Sequence, residues 1–150
     1  MTEHKGDIAA LNTLIATTID SVKGYEDAAS NSDAGRFQQM FRDRASDRQQ
    51  VVEQLRSEVR RLGGAPEDDG SLMGKTHQRF LDLKAAITGR DDKAIINEVE
   101  RGEDYLKAKF KAATESDALS GESRAVVEQA YQSVLRGHDR VSKLKHSLEA

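Results

Sequence analysis

The chain has no cysteine, no tryptophan and a single proline, Pro66, among its 150 residues. Without cysteine it can form neither disulfides nor thiolate metal sites, and it has no thiol nucleophile. Because proline breaks helices, a single proline in the whole chain favours long helices over a series of short strands. These absences predict an all-α protein without covalent cross-links.

An excess of one charge sign is also missing. The chain carries 23 basic and 26 acidic residues, which gives a net charge of −3, and the two signs are interleaved. Such a pattern gives no basic face for nucleic acid. No apolar run approaches the roughly 20 residues of a membrane span. The first residues also lack the basic-then-apolar order of a signal peptide. We therefore expect no nucleic-acid partner, no membrane segment and a cytoplasmic location.

Apolar residues recur at spacings of three and four in five segments, which is the pattern of amphipathic helices. Asp7 and Ser120 are predicted caps at helix starts, and Gly63 is a predicted helix end. The chain length suits one domain, residues 1–150. The five predicted helices cover approximately residues 8–30, 34–62, 72–88, 93–114 and 121–147.

The lengths of these segments constrain how they connect. Four of them are long and the third, residues 72–88, is shorter; short turns make consecutive helices antiparallel. The four long helices then run up, down, down and up, as two antiparallel hairpins joined by one crossover. This connectivity predicts an all-α, ferritin-like four-helix bundle with an extra crossover helix. A plain five-helix arrangement is the competing fold.

Several stretches along most of the chain carry a family resemblance, of which Gly102-Glu103-Asp104 and the run from His138 to Arg140 are the more distinctive. They resemble an uncharacterised bacterial family of ferritin-like four-helix-bundle proteins, known as a domain of unknown function. The resemblance implies the bundle but no particular reaction. The full set of matching stretches is Leu11–Ile15, Gly24–Glu26, Arg61–Pro66, Leu83–Ile87, Glu98–Asp104 and Gly137–Val141.

Two ionisable residues, Glu103 and His138, occupy apolar stripes and therefore need partners. If helices pair symmetrically across the turn near residue 118, His138 lies level with Glu98, and Glu26 of the first helix lies at the same height. Carboxylates and an imidazole at one level could bind a divalent metal. A first hypothesis is therefore an iron, manganese or zinc site at Glu26, Glu98, Glu103 and His138.

A second hypothesis gives both residues structural roles. Glu103 could form a buried ion pair with Arg44 or Arg48 that fixes helix register, and His138 could bond to Glu98 or Tyr25. The di-iron bundles use Glu-x-x-His on two helices, and this sequence contains no such motif. An intact di-iron oxidase site is therefore not expected.

No complete catalytic motif is present, so the preferred functional hypothesis is non-enzymatic. We expect a bundle of unknown biochemical role that acts by self-association, as a homo-oligomer, or through a protein partner. The alternative is a metal-binding bundle with a degenerate di-iron-type site.

Overall fold

A computed structural model describes residues 4–31, 35–67 and 92–149 of the chain. It contains four helices over these residues and no strand: α1 (Lys5–Asn31), α2 (Gly35–Arg61), α3 (Asp92–Glu115) and α4 (Gly121–Glu149). The all-α prediction is confirmed, and the four long helices agree with their predicted bounds to within about three residues. The helix predicted over residues 72–88 lies outside the described residues. None of the helices described is both long and apolar enough to cross a bilayer.

The directions of α2 and α4 follow from pairs of residues along their interface. Near the end of α2, Glu58 accepts a hydrogen bond from Ser123 at the start of α4. Earlier in α2, Asp47 lies 4.0 Å from Arg140, which is late in α4. Residue numbers therefore rise along one helix as they fall along the other. The two helices are antiparallel neighbours.

The same reasoning orients α1 against α3. Asp7, at the start of α1, bonds Ser120, just beyond the end of α3. Further along α1, Tyr25 bonds Glu103 in the middle of α3. These two helices are therefore also antiparallel. Because α1 and α2 form one hairpin and α3 and α4 another, the four helices run up, down, down and up.

The apolar side chains of the described residues form two separate clusters along the length of the bundle. The lower cluster lies around the first half of α1 and the second half of α2, and the upper cluster lies around the end of α1 and the start of α2. Burying each large aliphatic side chain contributes roughly 1.5–3 kcal/mol. The lower cluster contains Leu11, Leu14, Ile15, Ile19, Val22, Val51, Val52, Leu55, Val59, Leu62, Leu106, Phe110, Leu119, Val127, Ala130 and Val134. The upper cluster contains Tyr25, Ala29, Phe37, Phe41, Ala45, Ile96, Val99 and Val141.

The end of α2 confirms the predicted glycine stop. Gly63 has a φ of +85°, the left-handed conformation that glycine adopts without strain. Its N–H donates to Arg60, and the next N–H, of Gly64, donates to Val59, which are the two bonds of a Schellman motif. The predicted role of Asp7 as the cap of α1 is wrong, because α1 begins two residues earlier. Asp7 instead lies in the first turn and binds both the backbone N–H and the hydroxyl of Ser120.

Candidate functional site

A layer of polar side chains from three helices, packed against a glycine of the fourth, separates the upper cluster from the lower cluster. Tyr25 comes from α1, Arg48 from α2, Glu103 from α3 and Gly137 from α4. On each helix the residue occupies a core position where the 3.6-residue period would otherwise place an apolar side chain. We call these four residues, together with Arg44, the polar layer.

Glu103 is the centre of the polar layer. The Tyr25 hydroxyl donates a hydrogen bond to Glu103 Oε1, and Arg48 Nη2 donates to Glu103 Oε2. Arg48 has no exposed surface and Glu103 is 2% exposed, so this is a fully buried ion pair. The predicted ion pair is confirmed, and its cation is Arg48.

Gly137 provides the space that the Arg48 guanidinium occupies. A Cβ atom built on Gly137 would lie 2.6 Å from Arg48 Nη1 and 3.0 Å from Nη2, which is closer than nonbonded atoms allow. The guanidinium therefore packs directly against the α4 backbone. Glycine at this position allows a buried arginine to reach Glu103 across the bundle.

Arg44 is the second buried guanidinium of the polar layer. It is 3% exposed, and its Nη2 lies 2.8 Å from Asp47 Oδ2 at the edge of the bundle. Asp47 also lies 4.0 Å from the exposed Arg140. The Nε and Nη1 atoms of both Arg44 and Arg48 are buried and have no hydrogen-bond partner among the described residues. Two buried cations thus present donors without an acceptor in the part of the chain that the structure describes.

Burial and the negative charge of Glu103 together raise the pKa of Tyr25 well above its usual range, although Arg48 and Arg44 oppose this. The phenol is therefore protonated at neutral pH and acts as a hydrogen-bond donor. Both oxygens of Glu103 are consequently occupied by partners within the bundle.

His138 lies beside the polar layer, but with a different partner from the predicted Glu98 or Tyr25. Its Nε2 is 2.6 Å from Asp104 Oδ1, six positions further along α3 than Glu98, or about 9 Å at 1.5 Å per residue. Lys145 lies 2.8 Å from Glu100, which is nine positions further along the chain than symmetric pairing predicts for its partner. The assumption of symmetric pairing about the turn was therefore wrong by about one and a half to two and a half helical turns.

The other residues of the predicted metal site also have separate surroundings. Glu98 lies 2.8 Å from Arg101, and Glu26 is exposed in a shallow groove between α1 and α2. Among the residues that the structure describes, no group of three or more carboxylate or histidine side chains is arranged to hold a metal ion. The binding of iron, manganese or zinc at Glu26, Glu98, Glu103 and His138 stays a prediction, which elemental analysis of the purified protein would test.

A second buried polar group lies at the lower end of the bundle, near the end of α2, and was missed in the sequence. Glu58 is buried and accepts hydrogen bonds from Arg61 and from the Ser123 hydroxyl. The Arg61 hydrogen bonds, helped by Ser123, lower the pKa of Glu58 despite its burial. The spacing of Glu58 and Arg61 was visible in the sequence, but it also occurs in any solvated ion pair on a helix surface. Only the packing of α4 on α2 makes this carboxylate buried.

Comparison of the chain with known proteins gives one match. A family model matches residues 7–116, which include most of α1, all of α2 and α3, and every side chain that bonds within the polar layer. Gly137 and His138 lie beyond the matched residues. No curated protein matches the chain. The match covers well over half of the sequence, and the chain therefore belongs to the family described as Domain of unknown function (DUF2383).

Proposed function

We propose that this chain is a non-catalytic, ferritin-like helical bundle that acts by self-association. The observation that carries the proposal is an exposed, almost uncharged strip on the outer face of α2. All six of its residues are exposed, and five of them are neutral although 33% of the chain is charged. We call it the α2 strip; it consists of Ser46, Gln49, Gln50, Glu53, Gln54 and Ser57.

The spacing of the α2 strip suits a helix–helix contact. Consecutive members are separated alternately by three residue positions and by one along α2, so they form one continuous ridge on the helix surface. Serine and glutamine side chains offer both hydrogen-bond donors and acceptors, so such a ridge can bind a copy of itself without like-charge repulsion. A face of one charge sign could not do so.

A two-fold axis midway between Gln50 and Glu53 makes the α2 strip complementary to itself. In the resulting antiparallel pair, Gln50 faces Glu53 of the second copy, and Gln49 faces Gln54 of the second copy. Symmetry repeats each contact twice, as in every isologous dimer. The amide of Gln50 then donates to the only carboxylate of the strip.

The non-catalytic part of the proposal rests on the polar layer. Glu103 is the carboxylate of this layer; it is buried, and its two oxygens are engaged by Tyr25 and Arg48. A general base or metal ligand needs an oxygen that is open to substrate or ion. The geometry favours a structural role for this carboxylate.

The ferritin-like assignment, with the predicted crossover helix over residues 72–88, is part of the same proposal. Two findings support it. The helices run up, down, down and up, and α1 is buried around its whole circumference from Leu14 to Val22. A corner helix of a plain four-helix bundle leaves one face in water, so this burial favours a fifth element beside α1.

Sedimentation velocity over a range of protein concentrations tests self-association. Gln50→Glu places two carboxylates opposite each other at both symmetry-related contacts. Each exposed like-charge contact costs about 0.5–1 kcal/mol, so the dimer should weaken about 5- to 30-fold. Gln50→Lys should tighten it, because the lysine faces Glu53 of the second copy.

Gln129→Glu is the matched control, because Gln129 is an exposed glutamine on α4 outside the α2 strip. It should leave the dimer unchanged. A wild-type chain that stays monomeric at every concentration would contradict the proposal. A heterologous protein partner would then be the remaining way for the bundle to act by association.

A further inference from the structure

The α2 strip continues at one end into the shallow groove between α1 and α2. Ser46 and Gln49 line both features, so the strip and the groove form one surface. We call the second feature the α1–α2 groove; it is lined by Val22, Glu26, Arg42, Ala45, Ser46 and Gln49. A second copy bound to the α2 strip therefore lies beside this groove as well.

Two exposed side chains of opposite charge are available for a contact there. Glu26, in the α1–α2 groove, is exposed, and its carboxylate has neither an ion pair nor a hydrogen bond with another described residue. Arg60, near the end of α2, is also exposed, and its guanidinium likewise has no partner in the part of the chain that the structure describes. Each side chain can therefore bind a partner without giving up an existing contact.

Glu26 and Arg60 cannot bind each other within one chain. Glu26 lines the same groove as Arg42, and Arg60 lies 18 positions further along α2 than Arg42. At 1.5 Å per residue this separation is about 27 Å along the helix. A contact between residues 26 and 60 therefore has to join two different copies.

The geometry of an antiparallel pair brings these two residues together. Eighteen positions are about five full turns of an α-helix, so Arg60 leaves α2 on the same side as Arg42, which is the side of the groove. A two-fold axis midway between Gln50 and Glu53 brings residue 60 of the second copy level with Asp43, between Arg42 and Ala45. Because this axis lies between the helices and perpendicular to both, the two copies present the same side of α2 to the same side of the contact.

We propose that Arg60 of each copy enters the α1–α2 groove of the other copy and pairs there with Glu26. This inference rests on the proposed self-association, and it identifies the charged contacts at the two ends of the dimer. The buried Val22 and Ala45 give the aliphatic part of the arginine an apolar surface to pack on. A parallel pair of α2 helices would instead place Arg60 beside Arg60, so the charges favour the antiparallel arrangement.

Arg42 carries the same charge as Arg60 and lies in the same groove, so it opposes the contact. Asp43, exposed beside it, offsets only part of this repulsion. Arg42→Gln should therefore tighten the dimer by about 2- to 5-fold in sedimentation velocity. A dimer that is weaker than the wild type would contradict the position of Arg60 in the groove.

Charge reversal at the two positions tests the pairing itself. In Arg60→Glu the new carboxylate faces Glu26, and in Glu26→Arg the new guanidinium faces Arg60, each at both ends of the dimer. Each variant alone should dimerise about 10- to 100-fold more weakly than the wild type at an ionic strength of about 50 mM. An equimolar mixture of the two variants should recover the wild-type affinity, because opposite charges then meet at both ends.

Arg136→Glu and Glu128→Arg are the matched controls, because both residues are exposed on α4 and the charge changes are the same. They should leave the dissociation constant unchanged, alone and mixed. A wild-type dimer that is weakened by Gln50→Glu but not by Arg60→Glu would overturn this inference and leave the proposed self-association standing. A wild-type chain that is monomeric at every concentration would overturn both.

Zero-length cross-linking locates the contact in a variant that keeps the charge. In Arg60→Lys, a carbodiimide can join the new amine to the carboxylate of Glu26, and mass spectrometry identifies the linked peptides. Since about 27 Å separate the two positions within one chain, this link can form only between copies. Arg136→Lys is the control and should give no link from position 136 to Glu26. A dimer of Arg60→Lys without a link between positions 26 and 60 would contradict the inference.

Discussion

Replacing Glu103 with leucine tests the buried ion pair most directly. Arg48 has no exposed surface, so its guanidinium cannot turn into water when its carboxylate is removed. Removing one partner of a buried pair costs on the order of 3–5 kcal/mol, because the other charge stays buried and unpaired. Tyr25 loses its acceptor in the same substitution. Since small domains are stable by only about 5–15 kcal/mol, Glu103→Leu should remove a large part of the free energy of unfolding.

The double variant separates the energy of the ion pair from the effects of the two single substitutions. Arg48→Met alone should also be destabilising, because it leaves Glu103 buried with only the Tyr25 hydroxyl. Combining Arg48→Met with Glu103→Leu removes both charges and replaces them with apolar groups of similar size. Such replacements are often neutral or stabilising, while the unsatisfied Tyr25 hydroxyl costs about 1–3 kcal/mol. The double variant should therefore be close to the wild type and far more stable than either single variant.

Urea denaturation followed by circular dichroism gives these free energies by linear extrapolation. Arg101→Met is the matched control, because Arg101 is an exposed arginine of α3 that pairs with Glu98; it should change stability by less than about 1 kcal/mol. The reasoning fails if the free energy of unfolding of Glu103→Leu is within about 1 kcal/mol of the wild-type value while its dependence on urea concentration is unchanged. It also fails if the effects of the two single substitutions simply add in the double variant.

Three further variants test other parts of the fold by the same denaturation assay. Gly137→Ala should destabilise by about 1–3 kcal/mol through displacement of Arg48, and Arg48→Met should suppress the effect. Gly63→Ala should cost about 1–2 kcal/mol, because alanine is strained at positive φ; an unchanged midpoint would argue against the left-handed cap. The hydrogen bonds from Arg61 lower the pKa of Glu58 from its usual value of 4.5. The ionised carboxylate therefore stabilises the fold fully above about pH 5, and this contribution is lost as the pH falls through the folded-state pKa. When the pH is lowered from about 6 to about 3.5, the free energy of unfolding of Glu58→Gln should therefore fall by less than that of the wild type.

The sequence allowed the face of each helix to be predicted well, because the 3.6-residue period assigns every position to core or solvent. Glu103 was recognised as buried for this reason, since it interrupts an apolar stripe, and Arg48 was one of the two arginines expected to pair with it. The height of each residue was harder to predict, because it depends on how far one helix is shifted along another. His138 shows the consequence: it occupies the predicted stripe but bonds Asp104 instead of Glu98.

The residues missed altogether are those whose role depends on contacts between distant parts of the chain. Gly137 gives no signal by itself, because a glycine inside a helix indicates only weaker local stability. Its role emerges when Arg48 from another helix packs against it. Asp7 likewise resembles an ordinary helix cap, and its bonds to Ser120 arise only when the first helix meets the turn before the last one.

The division of the interior into two clusters has a consequence for how the bundle opens. The eight-residue group around Phe37 and Phe41 holds one end, and a group twice that size holds the other. Breaking the smaller group does not require the larger one to be disrupted, because the charged side chains between them already interrupt apolar contact. Amide hydrogens at the end of α1 and the start of α2 should exchange with solvent by partial unfolding, while those around Leu55 and Phe110 should exchange only when the whole molecule unfolds.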